Sequence, residues 1–143
     1  MTAKQLLAAL IKGVKQDIAR CEEVSKLLRH QERLLRRTDD EGLAALNRLL
    51  MPALEQLADS ASKRTDLLKR LGVTPNQSGM TVLLNKLPAT LSNQLAPLWQ
   101  VLQDRLAQCQ ALNERNGQLL ADQQELLSNC LNQAPVVEYG PGH

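Results

Sequence analysis

Apolar residues recur at intervals of three and four over three long stretches of this chain, and each stretch has too few breaks to fold as anything but helix. The first stretch places Leu7, Leu10, Val14, Ile18, Cys21, Val24, Leu28 and Leu35 on one face, because that spacing stacks side chains on one side of a helix. Thr2 and Gln5 form a capping box at its start. A helix from about Ala3 to Arg37 is roughly 50 Å long at 1.5 Å per residue, which suits an elongated bundle. Its end is basic, with Arg29, Arg33, Arg36 and Arg37 where cations oppose the negative end of the helix dipole; an anion-binding patch is the alternative reading.

The second stretch begins almost at once. Thr38-Asp39-Asp40-Glu41 reads as another capping box with acids in the first turn, and so short a link favours an antiparallel neighbour. Leu43, Leu46, Leu50, Leu54, Leu57, Ala61, Leu68 and Leu71 carry the face on to Gly72, a good residue for ending a helix. Pro52 falls inside, but the leucines on both sides stay in phase, so the spacing predicts one kinked helix. Thr74-Pro75-Asn76-Gln77-Ser78-Gly79 is turn-forming, and Met80 to Leu87 is a short apolar segment of about two turns. Pro88 suits the first turn of the last long helix.

The last stretch is expected to be one helix from about Pro88 to Gln133, bent at Pro97. Cys109, Asn116, Gln123 and Cys130 form a seven-residue series of small or polar residues flanked by leucines. The face they make spans about 160°, wider than the roughly 100° of a helix with one contact, so it either serves two neighbours or leaves a flank for a guest. Asn113, Asn116 and Gly117 are poor helix formers kept inside this pattern. Register on a packing seam and close approach of a neighbour would explain them, and so would binding a partner. Pro135 ends the helix and Val136 to His143 is a tail rich in turn formers.

The chain has no Phe, one Trp and one Tyr, so its core must be aliphatic, which fits a slender helical bundle better than a sandwich or barrel. The fold class expected is all-α: an elongated antiparallel bundle of three long helices plus one short helix, a single domain over 1–134 followed by a tail over 135–143. A net charge of +2 requires neither nucleic acid nor an anionic membrane. Cys21, Cys109 and Cys130 lie in or beside apolar stripes without CxxC spacing and read as small buried hydrophobes in a reducing compartment. With no signal-peptide pattern and no uncharged run long enough to span a bilayer, a cytoplasmic protein without membrane insertion is expected.

Little in the sequence points to chemistry. His30 sits among charged residues and reads as a surface histidine; no Glu has a His three residues later, and no phosphate loop or metal-ligand spacing occurs. The expectation is a protein that is not an enzyme, with no cofactor and no metal. Trp99 reads as a packed core or hinge residue, with a partner anchor as the alternative.

Leu98-Trp99, Cys109, Leu112-Asn113-Glu114, Asn116-Gly117 and Leu119-Leu120 are similar, at matching spacing, to the C-terminal half of the FlgN-type flagellar export chaperones. The resemblance implies a cytoplasmic chaperone that binds hook-filament junction proteins, shields their aggregation-prone terminal helices and delivers them to the flagellar type III export apparatus. The wide face of the last helix makes Leu112, Asn116, Leu119, Leu120, Gln123 and Leu127 the candidate client contacts. Val136, Val137 and Tyr139 are candidates for docking on the export gate or its associated ATPase complex, although Tyr139 could instead fold back on the bundle. The alternative to client binding is a structural or regulatory coiled coil that homo-oligomerises.

Overall fold

The computed structural model of the chain describes residues 1–117 and 121–132. These residues form five helices and no strand: α1 (Ala3–Arg36), α2 (Asp40–Arg70), α3 (Gln77–Lys86), α4 (Ala89–Asn116) and α5 (Ala121–Asn132). The Thr2–Gln5 box caps α1, with the Gln5 N–H donating to the Thr2 hydroxyl at 3.1 Å and the Thr2 N–H to Gln5 Oε1 at 3.0 Å. Both internal prolines, Pro52 and Pro97, are carried within single helices.

The α1–α2 reversal is tighter than a second capping box. Thr38 takes a left-handed backbone, φ 54°, so that its N–H reaches Leu35 O and the Asp39 N–H reaches Leu34 O, the paired bonds of a Schellman turn. Asp39, and not Thr38, then caps α2 by accepting the Gly42 N–H at 2.8 Å. One residue thus completes the end of one helix and starts the next. At the other end of α2, Gly72 (φ 84°) makes the same turn, with bonds from Gly72 N–H to Lys69 O and from Val73 N–H to Leu68 O. Asn76 caps α3 through Gly79 N–H, a position where any Cβ would overlap the Thr74 carbonyl.

Helix direction is set by which residues meet. Asp17 meets Ser60 and Arg64 while Gln31 meets Asn47, so α1 and α2 run antiparallel. Ser25 meets Cys109 while Leu28 and Gln31 meet Asn116, so α1 and α4 run parallel, which corrects the expectation of a wholly antiparallel bundle. The physical reason is the connection over residues 71–88, long enough with α3 inside it to carry the chain back along the bundle before α4 begins. α1 packs on α2 and α4, and α5 packs on α2 and α4; α5 therefore stands at the fourth corner, diagonal to α1.

The expected helix from Pro88 to Gln133 is broken. α4 ends at Asn116, where Gly117 has φ 78° and ψ −71°, a conformation that L side chains strongly disfavour. Cys130 shares its surroundings with Cys109, Asp17 and Arg64, although 21 further residues of straight helix would carry it about 30 Å away. The chain has turned back, giving five helices in place of three long and one short. Gly117 does not serve close approach either, because a Cβ there would meet nothing within 4 Å.

Candidate functional site

The core is aliphatic over most of its length, with Val14, Val24, Leu28, Leu50, Leu54, Leu68, Leu102 and Leu127 fully enclosed. One polar layer interrupts it. Asp17, 0% exposed, accepts hydrogen bonds from Arg64 at 2.7 Å, Ser60 at 2.8 Å and Arg20 at 2.9 Å. The Arg64 guanidinium lies 5.7 Å from the Trp99 ring centroid, within cation–π range. Burial lowers the Arg64 pKa, with the Asp17 charge opposing that fall. Trp99 is 3% exposed and donates to Gln77 Oε1 at 2.9 Å, fastening α3 to α4, which places it in the core and not at a surface.

A cleft of roughly 770 Å³ runs between α1 and α2 over this layer, bordered by Lys12, Lys63, Asp59 and Asp66. The buried Asp17 and Arg64 within it are paired with each other. Among the described residues no group of His, Cys, Asp and Glu could hold a metal ion, and no helix is long and apolar enough to cross a membrane. The three cysteines are buried and unpaired. Cys109 Sγ lies 3.4 Å from Ser25 Oγ and 3.5 Å from Cys21 O. The Cys21 thiol is pushed well above the ordinary thiol range by its hydrogen-bond partner Cys109 and by burial. Cys130 is pushed up to about 12, chiefly by burial.

The α5 corner differs from the others in how it is held. α5 is 12 residues long, marginal for a helix on its own. Among its described side chains Leu127, Cys130 and Leu131 are buried, with Leu126 packed beside them. On α4, Gln103 is 5% exposed and neither of its amide atoms has a hydrogen-bond partner. A buried amide without partners costs about 1–3 kcal/mol; on α2 the buried Arg64 Nε and Thr65 Oγ1 also lack a partner, so what sets the α5 corner apart is the shortness of its helix.

The residues expected to bind a client fall on both sides of the break. Leu112 is buried at 7% exposure beside a small hollow shared with Arg29, Gln108 and Arg115. Asn116 donates to Leu28 O at 2.9 Å and Gln31 Oε1 at 3.0 Å, tying the end of α4 to α1; this is a register contact, as one of the two sequence readings has it. Leu127, on α5, is fully buried. Leu119, Leu120 and the side chain of Gln123 lie outside the described residues, as do Val136, Val137 and Tyr139. Asp17, Arg64 and Gln103 were missed, although Asp17 falls in phase with Val14 and Cys21, and Arg64 with Ala61 and Leu68. A charge inside an apolar phase was the available signal.

A sequence model of the family described as FlgN protein matches residues 1–134. The chain belongs to the FlgN family. A crystal structure from Pseudomonas aeruginosa, described as a flagella synthesis protein FlgN, is similar with a TM-score of 0.74 at 25% identity, over 85% of this chain and 94% of that one. No curated protein matches the sequence. The FlgN likeness thus extends through α1 and α2, well beyond the Leu98–Leu120 stretch that carries it most specifically.

Proposed function

We propose that the chain acts in flagellum biogenesis as a type III export chaperone, holding terminal helices of hook-filament junction proteins before export. FlgN family membership supports the flagellar part of this reading. The observation that carries the chaperone part is the α5 corner: a short helix, attached through Gly117, whose described side chains bury an apolar stripe. When α5 lifts, its stripe and the α4 flank beneath it become the two walls of a helix-sized groove. A client helix packs between these walls against Leu127, with Leu119, Leu120 and Gln123 on the same arm, while Leu112 and Asn116, which face α1, fix the end of α4 behind it. Val136, Val137 and Tyr139 come after that arm in the chain and dock the loaded chaperone on the export gate or its ATPase complex. The cycle is cytoplasmic and uses no nucleotide or cofactor of its own.

The test is titration of labelled terminal-helix peptides from hook-filament junction proteins into the full chain, read by fluorescence anisotropy. Wild type should bind at micromolar concentration, and Leu127→Arg should bind at least about tenfold more weakly, the equivalent of about 1.4 kcal/mol. Equal binding by both proteins moves the groove elsewhere. No binding by wild type, together with concentration-dependent self-association, favours the oligomeriser.

A further inference from the structure

On the side of the bundle away from α5, the parallel pair α1 and α4 leaves two hollows along its outer seam. The lower one, roughly 470 Å³, has Leu7, Ile11 and Leu91 at its floor and Lys4, Lys12 and Lys15 around it. The upper one, roughly 330 Å³, lies between Arg29 and Arg115 over Ala111 and Leu112. No acid lines either hollow. Lys15 and Arg29 are two heptads apart on α1, and Gln94, Gln108 and Arg115 are two and three heptads apart on α4. Packed helices keep seven-residue positions on one face, so the hollows open in the same direction. From Ile11 to Arg29 is about 27 Å along the helix, and the half-buried Ile18, Leu98 and Val101 lie on the same heptad positions between them.

Charge on this seam is one-sided. Its heptad positions carry Lys4, Lys15, Arg29, Arg36, Arg105 and Arg115 against two acids, Glu22 and Glu32. Glu32 is already shared between Arg36 at 3.8 Å and Arg115 at 3.4 Å. Among the described residues Lys4, Lys15, Arg29 and Arg105 make no ion pair. The excess of cations here is larger than the net charge of the whole chain, +2, so the rest of the surface is net negative and the segregation is real.

We propose that the α1–α4 seam docks an acidic amphipathic helix of a partner protein. Two recessed apolar hollows at heptad spacing accept a helix of about 18–20 residues with an apolar anchor near each end, and acids flanking those anchors meet the cationic walls. A membrane surface fits less well, because the apolar groups are sunk between lysines and do not protrude. The seam lies clear of the α5 corner, so its use is independent of client loading.

The test uses the full chain and a labelled 21-residue model helix with leucines on one stripe and glutamates beside it, with a lysine-for-glutamate version and anionic phosphatidylglycerol vesicles as the other probes. Lys15→Glu/Arg29→Glu reverses two exposed side chains, and its circular-dichroism melt should match wild type; Lys15→Gln/Arg29→Gln replaces it if the melt falls. Wild type should bind the acidic helix, more weakly as salt rises. The reversed variant should lose about tenfold or more in affinity and gain binding to the basic helix. Failure of wild type to bind the acidic helix at about 100 μM, or equal binding by both proteins, overturns the proposal. So does vesicle binding that depends on Lys15 and Arg29 in the absence of helix binding.

Discussion

The chain reverses direction twice by helical hairpin, and the two hairpins are held in opposite ways. Between α1 and α2 the turn is fully bonded, with Asp39 finishing one helix and capping the next. A buried ion pair, Asp17 with Arg64, joins the two helices near their middle. Between α4 and α5 the helix stops at a glycine whose backbone few residues could adopt, and the helix that follows is only 12 residues long. The lesson is that corners of one bundle need not share one stability. A long hairpin tied by a bonded turn and a buried ion pair opens with the whole domain, whereas one that ends in a short helix opens at lower cost.

That contrast is broken most severely at Asp17. Asp17→Ala strands the Arg64 guanidinium in the core and should lower unfolding free energy by about 3–5 kcal/mol, measured by urea denaturation. Asp17→Leu with Arg64→Met should recover most of that loss, because it removes both charges; a double variant as unstable as the single one shows that the pair does more than neutralise itself. Leu127→Ala acts on the other hairpin, costing about 2–4 kcal/mol if α5 melts with the domain. If α5 opens alone, the global melt shifts by less, while labelling of Cys130 by a thiol reagent speeds up relative to Cys21 and Cys109. Equal labelling of all three thiols in the variant removes the idea of an independent corner.

The same thiol sharpens the comparison through pH. The folded-state pKa of Cys130 is raised to about 12, so its neutral form contributes stability that is complete below the unfolded thiol pKa. That contribution fades as pH rises toward 12, by about 2 kcal/mol at roughly pH 10.5. Wild type should therefore lose melting temperature from about pH 9 upward, and Cys130→Ala should lose less; parallel curves would mean that Cys130 is already exposed to solvent. Gly117→Ala should cost about 1–2 kcal/mol through backbone strain alone, since the space around it is open. That differs from overpacking, for Gly117→Leu should then cost little more than Gly117→Ala. The smallest effect is at the other turn, where Thr38→Gly should stabilise by up to about 1 kcal/mol by relieving a β-branched residue at positive φ.

Much of the fold could be read from local pattern. The Thr2 box, the stop at Gly72, the continuity through Pro52 and Pro97, and the short helix before Pro88 all rest on interactions within a few residues, so the residues that cause them stand together in the chain. The burial of the three cysteines followed from their place in or beside the apolar stripes, and Trp99 read as a core residue on an aliphatic helix. Two features were beyond that kind of reading. The series Cys109, Asn116, Gln123 and Cys130 keeps its seven-residue phase whether the helix continues or folds back, because periodicity records which side chains are buried and not the direction in which the axis runs. The parallel run of α4 beside α1 escapes local pattern for the same reason, and packing over the length of the bundle settled it.

The polar layer divides in the same way. Asp17 and Arg64 are visible in sequence only as charges in an apolar phase, and a surface residue at the edge of a stripe looks no different. Their pairing joins positions 47 residues apart, and it becomes favourable only when both are desolvated together, since the attraction between two charges is weak in water and strong in the interior. The sequence by itself determined where helices form and which faces they bury, because those depend on neighbours three and four residues away. Only the tertiary structure decided which helix fills each corner, where the last helix turns, and which buried polar groups find partners, because those depend on distances between residues that the chain brings together late.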